Sequence, residues 1–216
     1  MYYYSIFLES PRKIGYHSFQ EALGDLIEKN PLGIQELMEI LSKRKEEIDH
    51  VEKPIFIEPY VSLGLHGKYS TAQILAAFGY YNEEKKPSFR EGVLYLKEKN
   101  TDVFFITLNK SEKDYSESTM YEDYALNERL FHWQSQSRTS IESETGKRYI
   151  SHKERGGRVI LFVREYKNKG NQAMPYVFLG EAEYVSHQGD RPISIVWRLK
   201  EDMPPTLLKE ASKGAV

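Results

Sequence analysis

The fold class of this chain is decided by residues 158–199, RVILFVREYKNKGNQAMPYVFLGEAEYVSHQGDRPISIVWRL. Four runs within it are rich in β-branched and aromatic residues and are separated by glycine, proline or charged residues: Val159 to Arg164, Tyr176 to Leu179, Glu183 to His187 and Ile193 to Leu199. Such runs are typical of β-strands. Short connections between successive strands favour antiparallel over parallel pairing. The stretch therefore predicts a mainly antiparallel sheet.

The same pattern continues upstream. Four further runs predict strands: Gly92 to Leu96, Val103 to Leu108, Leu130 to Gln136 and Arg148 to His152. The glycines of Arg155-Gly156-Gly157 permit a tight hairpin after the last of these runs. We expect a strongly curved, mainly antiparallel β-sheet or barrel, SRA/PUA-like in form.

The first third of the chain has a helical period instead. Ser18 is a candidate N-cap for a helix over Phe19 to Lys29, a second helix is predicted from Leu32 to His50, and Ser70 precedes a short apolar helix over Thr71 to Phe78. The fold class is therefore α+β, with an N-terminal helical segment followed by the sheet. We predict a helical linker subdomain over residues 1–68, a β-rich domain over 69–208 and a flexible tail over 209–216.

Composition excludes several classes of protein. The 216 residues contain no cysteine, which rules out disulfide frameworks and thiolate zinc sites. The six histidines show no HxH or HExxH spacing, so neither a metal nor another cofactor is expected. No apolar run approaches the ~20 residues that a membrane span needs. We expect a cytoplasmic protein that does not associate with membranes.

Charge is distributed unevenly along the chain. The window from Arg129 to Gly170 contains ten cations and four carboxylates, a local charge of +6 within a chain whose net charge is −2. A local basic patch is the electrostatic footprint of a polyanion partner, and aromatic side chains within it offer surfaces on which a base can stack. The window therefore indicates nucleic-acid recognition.

The strongest local signal in this window is the phrase FHWQSQS, residues 131–137. On a strand, His132, Gln134 and Gln136 share one face while Phe131, Trp133 and Ser135 share the other. Glutamine amides can pair with a base edge, and aromatic rings can stack on a base. The candidate base-recognition residues are His132, Trp133, Gln134, Gln136 and Tyr149. The alternative interpretation is an ordinary half-buried strand with a wet outer face.

Two further sets of candidates lie around this phrase. Hydroxyls and cations suited to phosphate oxygens are supplied by Ser137, Arg138, Thr139, Arg148, Lys153 and Arg155, although the first three also suit a polar turn. Candidate walls of a base pocket are Tyr80, Tyr81, Tyr121, Tyr124 and His187.

Two other functions compete with this hypothesis. Glu165-Tyr166-Lys167 at a strand end is half of the motif of magnesium-dependent nucleases, with Asp102 as the nearest candidate for a second metal-binding acid. The helix predicted over Leu32 to His50 is amphipathic and would suit a protein-interaction module.

An ordered series of phrases resembles a known domain. The phrases are STAQILAAFG (70–79), FHWQSQ (131–136), TGKRYI (145–150), LFVRE (161–165), PYVFLG (175–180), YVSH (184–187) and RPISIVW (191–197). The series is similar to the C-terminal domain, originally of unknown function, of SauUSI-like type IV restriction enzymes, in which it follows a phospholipase-D-type nuclease and a superfamily II helicase. The resemblance covers roughly Tyr69 to Pro205.

The resemblance implies target recognition. Enzymes of this family cut DNA that carries 5-methylcytosine or 5-hydroxymethylcytosine, and this domain is the part expected to find the mark. The implied partners are double-stranded DNA with a modified cytosine and the nuclease and helicase domains of the parent polypeptide. We expect no catalysis by this chain alone. An aromatic pocket that receives a flipped base is one way to read the modification.

Overall fold

The structure, a computed structural model, describes residues 2–47, 54–56, 62–90, 92–110 and 122–212. The chain divides into two compact units, one formed by Met1–Leu63 and Thr71–Phe89 and the other by Gly64–Ser70 and Arg90–Val216. Within the described ranges no helix is both long enough and apolar enough to cross a membrane.

The first unit is mainly helical, as predicted. Its elements are α1 (Tyr2–Ile6), a 3-10 helix (Pro11–Ile14), α2 (Phe19–Lys29), α3 (Pro31–Glu46) and α4 (Thr71–Ala77). The predicted N-cap is confirmed, because the backbone N–H of Glu21 donates to Ser18 Oγ. Asn30 caps α3 in the same way through the N–H of Gly33, and the predicted end of this helix at His50 lies outside the described residues. Strand β1 (Pro54–Phe56) pairs with β2 (Ser62–Gly64).

The second unit contains the main sheet. Its elements are β3 (Lys68–Tyr69), β4 (Val93–Leu96), β5 (Thr101–Asn109), β6 (Tyr124–Ala125), β7 (Leu130–Gln134), α5 (Glu144–Ile150), β8 (Arg158–Tyr166), β9 (Asn168–Lys169), β10 (Gln172–Ala173), β11 (Tyr176–Gln188), β12 (Ser194–Leu199) and α6 (Pro205–Ala211). The described residues form an eight-stranded sheet in the order β4-β5-β8-β11-β12-β7-β6, with β3 paired to β11, and β9 and β10 form a separate hairpin.

The α+β fold class and the mainly antiparallel sheet are confirmed. The pair of β5 with β8 is parallel, and the other pairs of the main sheet are antiparallel. Strands β4 and β6 lie at opposite ends of the order, so the sheet is open among the described strands. The barrel form of the prediction is therefore wrong, and the open-sheet form is correct.

The strand predicted over Arg148 to His152 is wrong, because this segment lies mostly in helix α5. Ser143 caps the helix by accepting a hydrogen bond from the N–H of Gly146, and Glu144 occupies the first turn, where a negative charge is favoured. A Cβ on Gly146 would lie 2.0 Å from the carbonyl oxygen of Ser140. The helix therefore begins where only glycine permits so close an approach of two backbones.

Two predicted strands are one element. Strand β11 runs without a break from Tyr176 to Gln188, and its pairing with β8 shifts register between Phe178 and Gly180. Gly180, which has a positive φ of 81°, accommodates this irregularity instead of ending the strand. Helix α6 continues to Ala211, which is buried, so residues 209–211 of the predicted tail are helical, and residues 213–216 lie outside the described residues.

The apolar core of the second unit lies on one face of the sheet, beneath α5 and α6. Its largest members are Phe104, Phe131, Trp133, Tyr149 and Trp197, and α6 contributes Leu207 and Ala211. On the opposite face, β5, β8 and the first half of β11 carry buried Phe105, Phe162 and Phe178. The remaining part of that face, on β6, β7 and β12, is partly exposed and mainly polar. It is the candidate interface.

Candidate nucleic-acid interface

The half-exposed part of the sheet presents two rows of side chains across neighbouring strands. Tyr124, His132 and Val196 pair in register across β6, β7 and β12, and Gln134 pairs with Ser194 in the next row. All five residues are half-buried. Directly opposite side chains in a sheet lie close enough to contact one another. We call these five residues the polar face.

The aromatic and amide groups of the polar face are held by specific contacts. The rings of Tyr124 and His132 stack with centroids 4.5 Å apart and planes 16° apart, and His132 Nδ1 lies 2.9 Å from the carbonyl oxygen of Glu122. Gln134 accepts from the N–H of Glu122 through Oε1 and donates to Ser194 Oγ through Nε2. The orientation of the Gln134 amide is therefore fixed before any ligand binds.

A buried ion pair fixes the end of β7 beside this face. Asp123 accepts from Lys110 Nζ at 2.5 Å and from the N–H of Gln134 at 3.0 Å, and both charged side chains are almost fully enclosed. Burial raises the pKa of Asp123, and the charge and hydrogen bond of Lys110 oppose that rise. The pair anchors residues 122–124 against β7, which keeps Tyr124 over His132.

Two of the predicted base-recognition residues lie in the core instead. Trp133 is 5% exposed and Tyr149 3% exposed. The Trp133 ring lies 4.3 Å from the centroid of Phe104 and 5.4 Å from that of Tyr149. A base could stack on neither ring without opening the core. The alternation predicted for FHWQSQS is thus correct, and it places Trp133 on the inward face with Phe131 and Ser135.

The rest of the FHWQSQS segment forms a turn after β7. Gln136 is half-buried and accepts the N–H of Thr139 through its carbonyl oxygen, while Ser137 and Arg138 are exposed at the turn. Thr139 is buried, which removes its hydroxyl from the surface. Of the three phosphate candidates in this segment, Ser137 and Arg138 are accessible.

The predicted pocket walls are distributed over different parts of the chain. Tyr80 and Tyr81 belong to the first unit, where Tyr81 also contacts Tyr4, with ring centroids 5.3 Å apart. His187 pairs with Ile195, a core position, and contacts the Tyr184 hydroxyl at 2.6 Å, so it lies on the face opposite to His132. Tyr121 lies outside the described residues. Of the two candidates that the structure describes in the second unit, Tyr124 and His187, Tyr124 lies on the polar face.

Carboxylates neutralise much of the basic window. Six of its ten cations are paired with acids among the described residues: Arg129 with Asp202, Lys147 with Glu142, Arg148 with Asp102, Lys153 with Glu183, Arg155 with Glu144 and Arg158 with Glu181. Lys153 and Arg155 are exposed, and exposed pairs contribute only about 0–1 kcal/mol. These two cations can exchange their partners for phosphate oxygens at little cost.

Arg148 differs from these surface cations. Its Nε and Nη2 donate to the two carboxylate oxygens of Asp102 at 2.7 and 2.9 Å, and its guanidinium carbon lies 3.7 Å from the centroid of the Tyr95 ring. Asp102 is 1% exposed. Burial raises the pKa of Asp102, which the hydrogen bond from Arg148 opposes. Arg148 is therefore committed to a buried carboxylate, which leaves it unsuited to the phosphate contact predicted from the sequence.

The geometry disfavours the nuclease interpretation. In the parallel pair of β5 with β8, Asp102 is opposite Val159, which lies six residues before Glu165 on β8. At about 3.3 Å per residue this separates the two acids by roughly 20 Å, too far to share a metal ion. Within the described ranges, no cluster of three or more histidine, aspartate or glutamate side chains could hold a metal.

Ser194 and Val196 of the polar face were missed by the sequence reasoning, as was the buried pair of Lys110 with Asp123. The alternation of Ile193, Ile195 and Trp197 with smaller or polar residues carries the signal for the first two, since it marks the outward positions of β12. The ion pair leaves no such local signal, because its partners are 13 residues apart, one directly after β5 and the other directly before β6.

Comparison with protein families gives one match. Residues 63–211 match the family described as Domain of unknown function (DUF3427), which is more than half of the chain. The chain therefore belongs to the DUF3427 family. No curated protein matches the sequence.

Proposed function

We propose that the second unit is a DNA-recognition module that detects modified cytosine as the targeting part of a SauUSI-like type IV restriction enzyme. The observation that carries this proposal is the polar face, where a stacked aromatic pair lies beside an oriented amide on an open sheet. Sheets with exposed aromatic rings are a recurrent platform for nucleobases, because every base has a face that can stack. The resemblance supplies the modification, 5-methylcytosine or 5-hydroxymethylcytosine.

The proposed mode of recognition is base flipping onto the polar face. An extruded cytosine stacks on Tyr124, whose ring is already supported from behind by His132. Flipping costs a few kcal/mol in lost pairing and stacking. Stacking on an aromatic side chain returns about 1–3 kcal/mol per base, and a hydrogen bond from the Gln134 amide adds to this. The exposed Ser137, Arg138, Lys153 and Arg155 supply phosphate contacts.

The direct test is a titration of the purified chain with a duplex that carries one 5-methylcytosine and with the same duplex unmodified. We expect tighter binding to the methylated duplex and, for both, an affinity that falls steeply with salt as counterions are released. Equal affinity for the two duplexes would refute modification reading. An affinity that does not change with salt would remove the electrostatic basis of the proposal.

A matched pair of variants assigns the site. Tyr124 and Tyr95 lie on the edge strands β6 and β4, at opposite ends of the sheet. Tyr124→Leu should reduce the preference for the methylated duplex by about 1–3 kcal/mol, the range for one stacked base. Tyr95→Leu should leave that preference unchanged. Equal losses in both variants would show that the effect is not local to the polar face.

Incubation of the same duplexes with the protein and magnesium or manganese tests the nuclease alternative. We expect no DNA cleavage by this chain with magnesium or manganese. Metal-dependent nicking that Glu165→Ala abolishes would favour the nuclease function over recognition.

A second candidate function concerns the first unit alone. Helix α3 has no buried residue, and its Met38 and Leu41, which are three residues apart on one face of the helix, are each more than half exposed. Exposed apolar helix faces are typical of protein-interaction surfaces. The partner we propose is the helicase domain of the parent polypeptide. Met38→Glu and Leu41→Glu should abolish co-purification with that domain, and unchanged co-purification would refute this assignment.

A further inference from the structure

Arg164, near the end of β8, is a buried cation with only neutral partners. It is 8% exposed. Its Nε donates to Thr107 Oγ1 at 2.9 Å, its Nη1 donates to the carbonyl oxygen of Met174 at 3.3 Å, and its guanidinium carbon lies 4.3 Å from the centroid of the Tyr176 ring. No carboxylate contacts it among the described residues.

The other enclosed cations of this unit behave differently. Lys110 faces the buried Asp123, and Arg148 faces the buried Asp102. Removing a charge from water costs several kcal/mol unless an opposite charge and good hydrogen bonds compensate it. The described residues therefore provide no negative charge that compensates the guanidinium of Arg164.

One edge of the Arg164 guanidinium remains available to such a partner. Nη2 makes no hydrogen bond to the described residues. It is not fully buried, so a ligand can reach it. A guanidinium presents its N–H groups as a planar fork that fits two oxygens of a phosphate group. The Tyr176 ring and the Thr107 hydroxyl hold this fork in one orientation.

The segment that follows Arg164 carries a further cation. The hairpin of β9 and β10 follows β8 directly and carries Lys169, which is exposed. The backbone N–H of Met174, whose carbonyl accepts from Arg164, donates to the carbonyl of Lys167. Glu165 lies on the opposite face of β8, since neighbouring strand residues alternate. The charge of Arg164 itself, which has only neutral partners among the described residues, therefore favours an anion.

We propose that Arg164 is the centre of a phosphate-binding site at the base of the β9–β10 hairpin, occupied by a backbone phosphate of the bound DNA. The identity of the ligand as DNA rests on the proposed function, whereas the oxyanion site itself does not. The site is separate from the polar face and adds a positioning contact that carries no information about base identity.

The first experiment uses no variant. The Nε–H of Arg164 is hydrogen-bonded to Thr107, so it should give a resolved signal in a proton–nitrogen correlation spectrum. Titration with inorganic phosphate, against chloride at equal ionic strength, should shift that signal in a saturable manner. An Nε–H signal that does not respond to phosphate would overturn the site, whatever the protein does with DNA.

The second experiment measures DNA affinity against salt for Arg164→Gln and for Arg158→Gln. Arg158 is the matched control, because it lies at the other end of the same strand and has a carboxylate partner in Glu181. Arg164→Gln should weaken binding about tenfold for methylated and unmodified duplexes alike, and should reduce the slope of log K against log salt by about 1. Arg158→Gln should change the slope less.

The outcomes separate the two proposals. Wild-type protein that binds phosphate at Arg164 but no DNA would refute the proposed function and leave the anion site intact. Wild-type protein that binds DNA, with folded Arg164→Gln retaining the full slope and affinity, would overturn the site and leave DNA recognition intact.

Discussion

Replacing Arg148 by methionine tests the assignment of this residue to the core instead of to DNA. The substitution keeps the aliphatic packing and removes the only described partner of both Asp102 carboxylate oxygens. Breaking a buried ion pair on one side costs about 3–5 kcal/mol, because an uncompensated charge remains. Such a loss is a large fraction of the roughly 5–15 kcal/mol that stabilises a domain. Arg155→Met, at an exposed pair, should cost only about 0–1 kcal/mol.

The pH dependence of Arg148→Met gives a second criterion. Without Arg148, burial is the largest influence on Asp102, opposed only by the weaker effect of His152, and holds its folded-state pKa above the unfolded value of about 3.9. A carboxyl group with a raised folded-state pKa lowers stability as pH rises from the unfolded value through the folded one. The deficit of the variant should therefore be smallest near about pH 4 and largest above neutrality.

Urea unfolding of wild type, Arg148→Met and the double variant Arg148→Met, Asp102→Leu, at acid and neutral pH, measures both effects. The double variant should recover most of the loss, since an apolar pair can replace a buried ion pair at little cost. A loss below about 1 kcal/mol for Arg148→Met at neutral pH, with no recovery in the double variant, would refute the buried-pair assignment and return Arg148 to the phosphate candidates.

Three further changes have defined outcomes. Gly146→Ala should destabilise the second unit by about 1–3 kcal/mol in urea unfolding, because the new Cβ would lie 2.0 Å from the Ser140 carbonyl oxygen. The control is Gly24→Ala on α2, where no atom lies within 4 Å of the new Cβ. This variant should be neutral or stabilising by up to about 1 kcal/mol. Trp133→Ala should lower the unfolding free energy by about 3–5 kcal/mol, and a folded Trp133→Ala protein that lost only its preference for methylated DNA would contradict the core assignment. Burial lowers the pKa of His152, so the unfolded state binds more protons and stability should fall as pH drops below about 6.5; His152→Gln should flatten this decline in thermal melts between acid and neutral pH.

Secondary-structure elements with a clear hydrophobic period were predicted better from the sequence than short elements were. Alternation in residues 130–136 correctly separated His132 and Gln134 from Phe131 and Trp133, because one face of this strand packs and the other does not. The segment around Tyr149 was assigned wrongly, since a seven-residue helix is too short to show its period and its β-branched and aromatic residues resemble a strand.

The pairing of charged side chains could not be predicted from the sequence, for a different reason. The charge of the window from Arg129 to Gly170 was counted along the chain, but Arg148 pairs with an acid 46 residues away and Arg129 with one 73 residues away. Tertiary structure decides which charges meet, so a count along the chain overstates the field that a ligand experiences. That Arg164 has only neutral partners among the described residues is visible only once its neighbours in the sheet are known.

The order of strands in the main sheet determines how this unit can fold. Strand β5 pairs with β8, in the register of Thr101 with Arg158, and β7 pairs with β12, in the register of Gln134 with Ser194. Each pairing joins segments more than 50 residues apart, while the chain between β5 and β8 contains β6, β7 and α5. Pairing of distant segments slows folding, because the entropy of closing a large loop is lost before the stabilising contacts form. We therefore expect this unit to fold slowly and as one cooperative unit. A fragment that ends before β12 lacks the strand that joins β7 to the rest of the sheet, so we expect it not to fold.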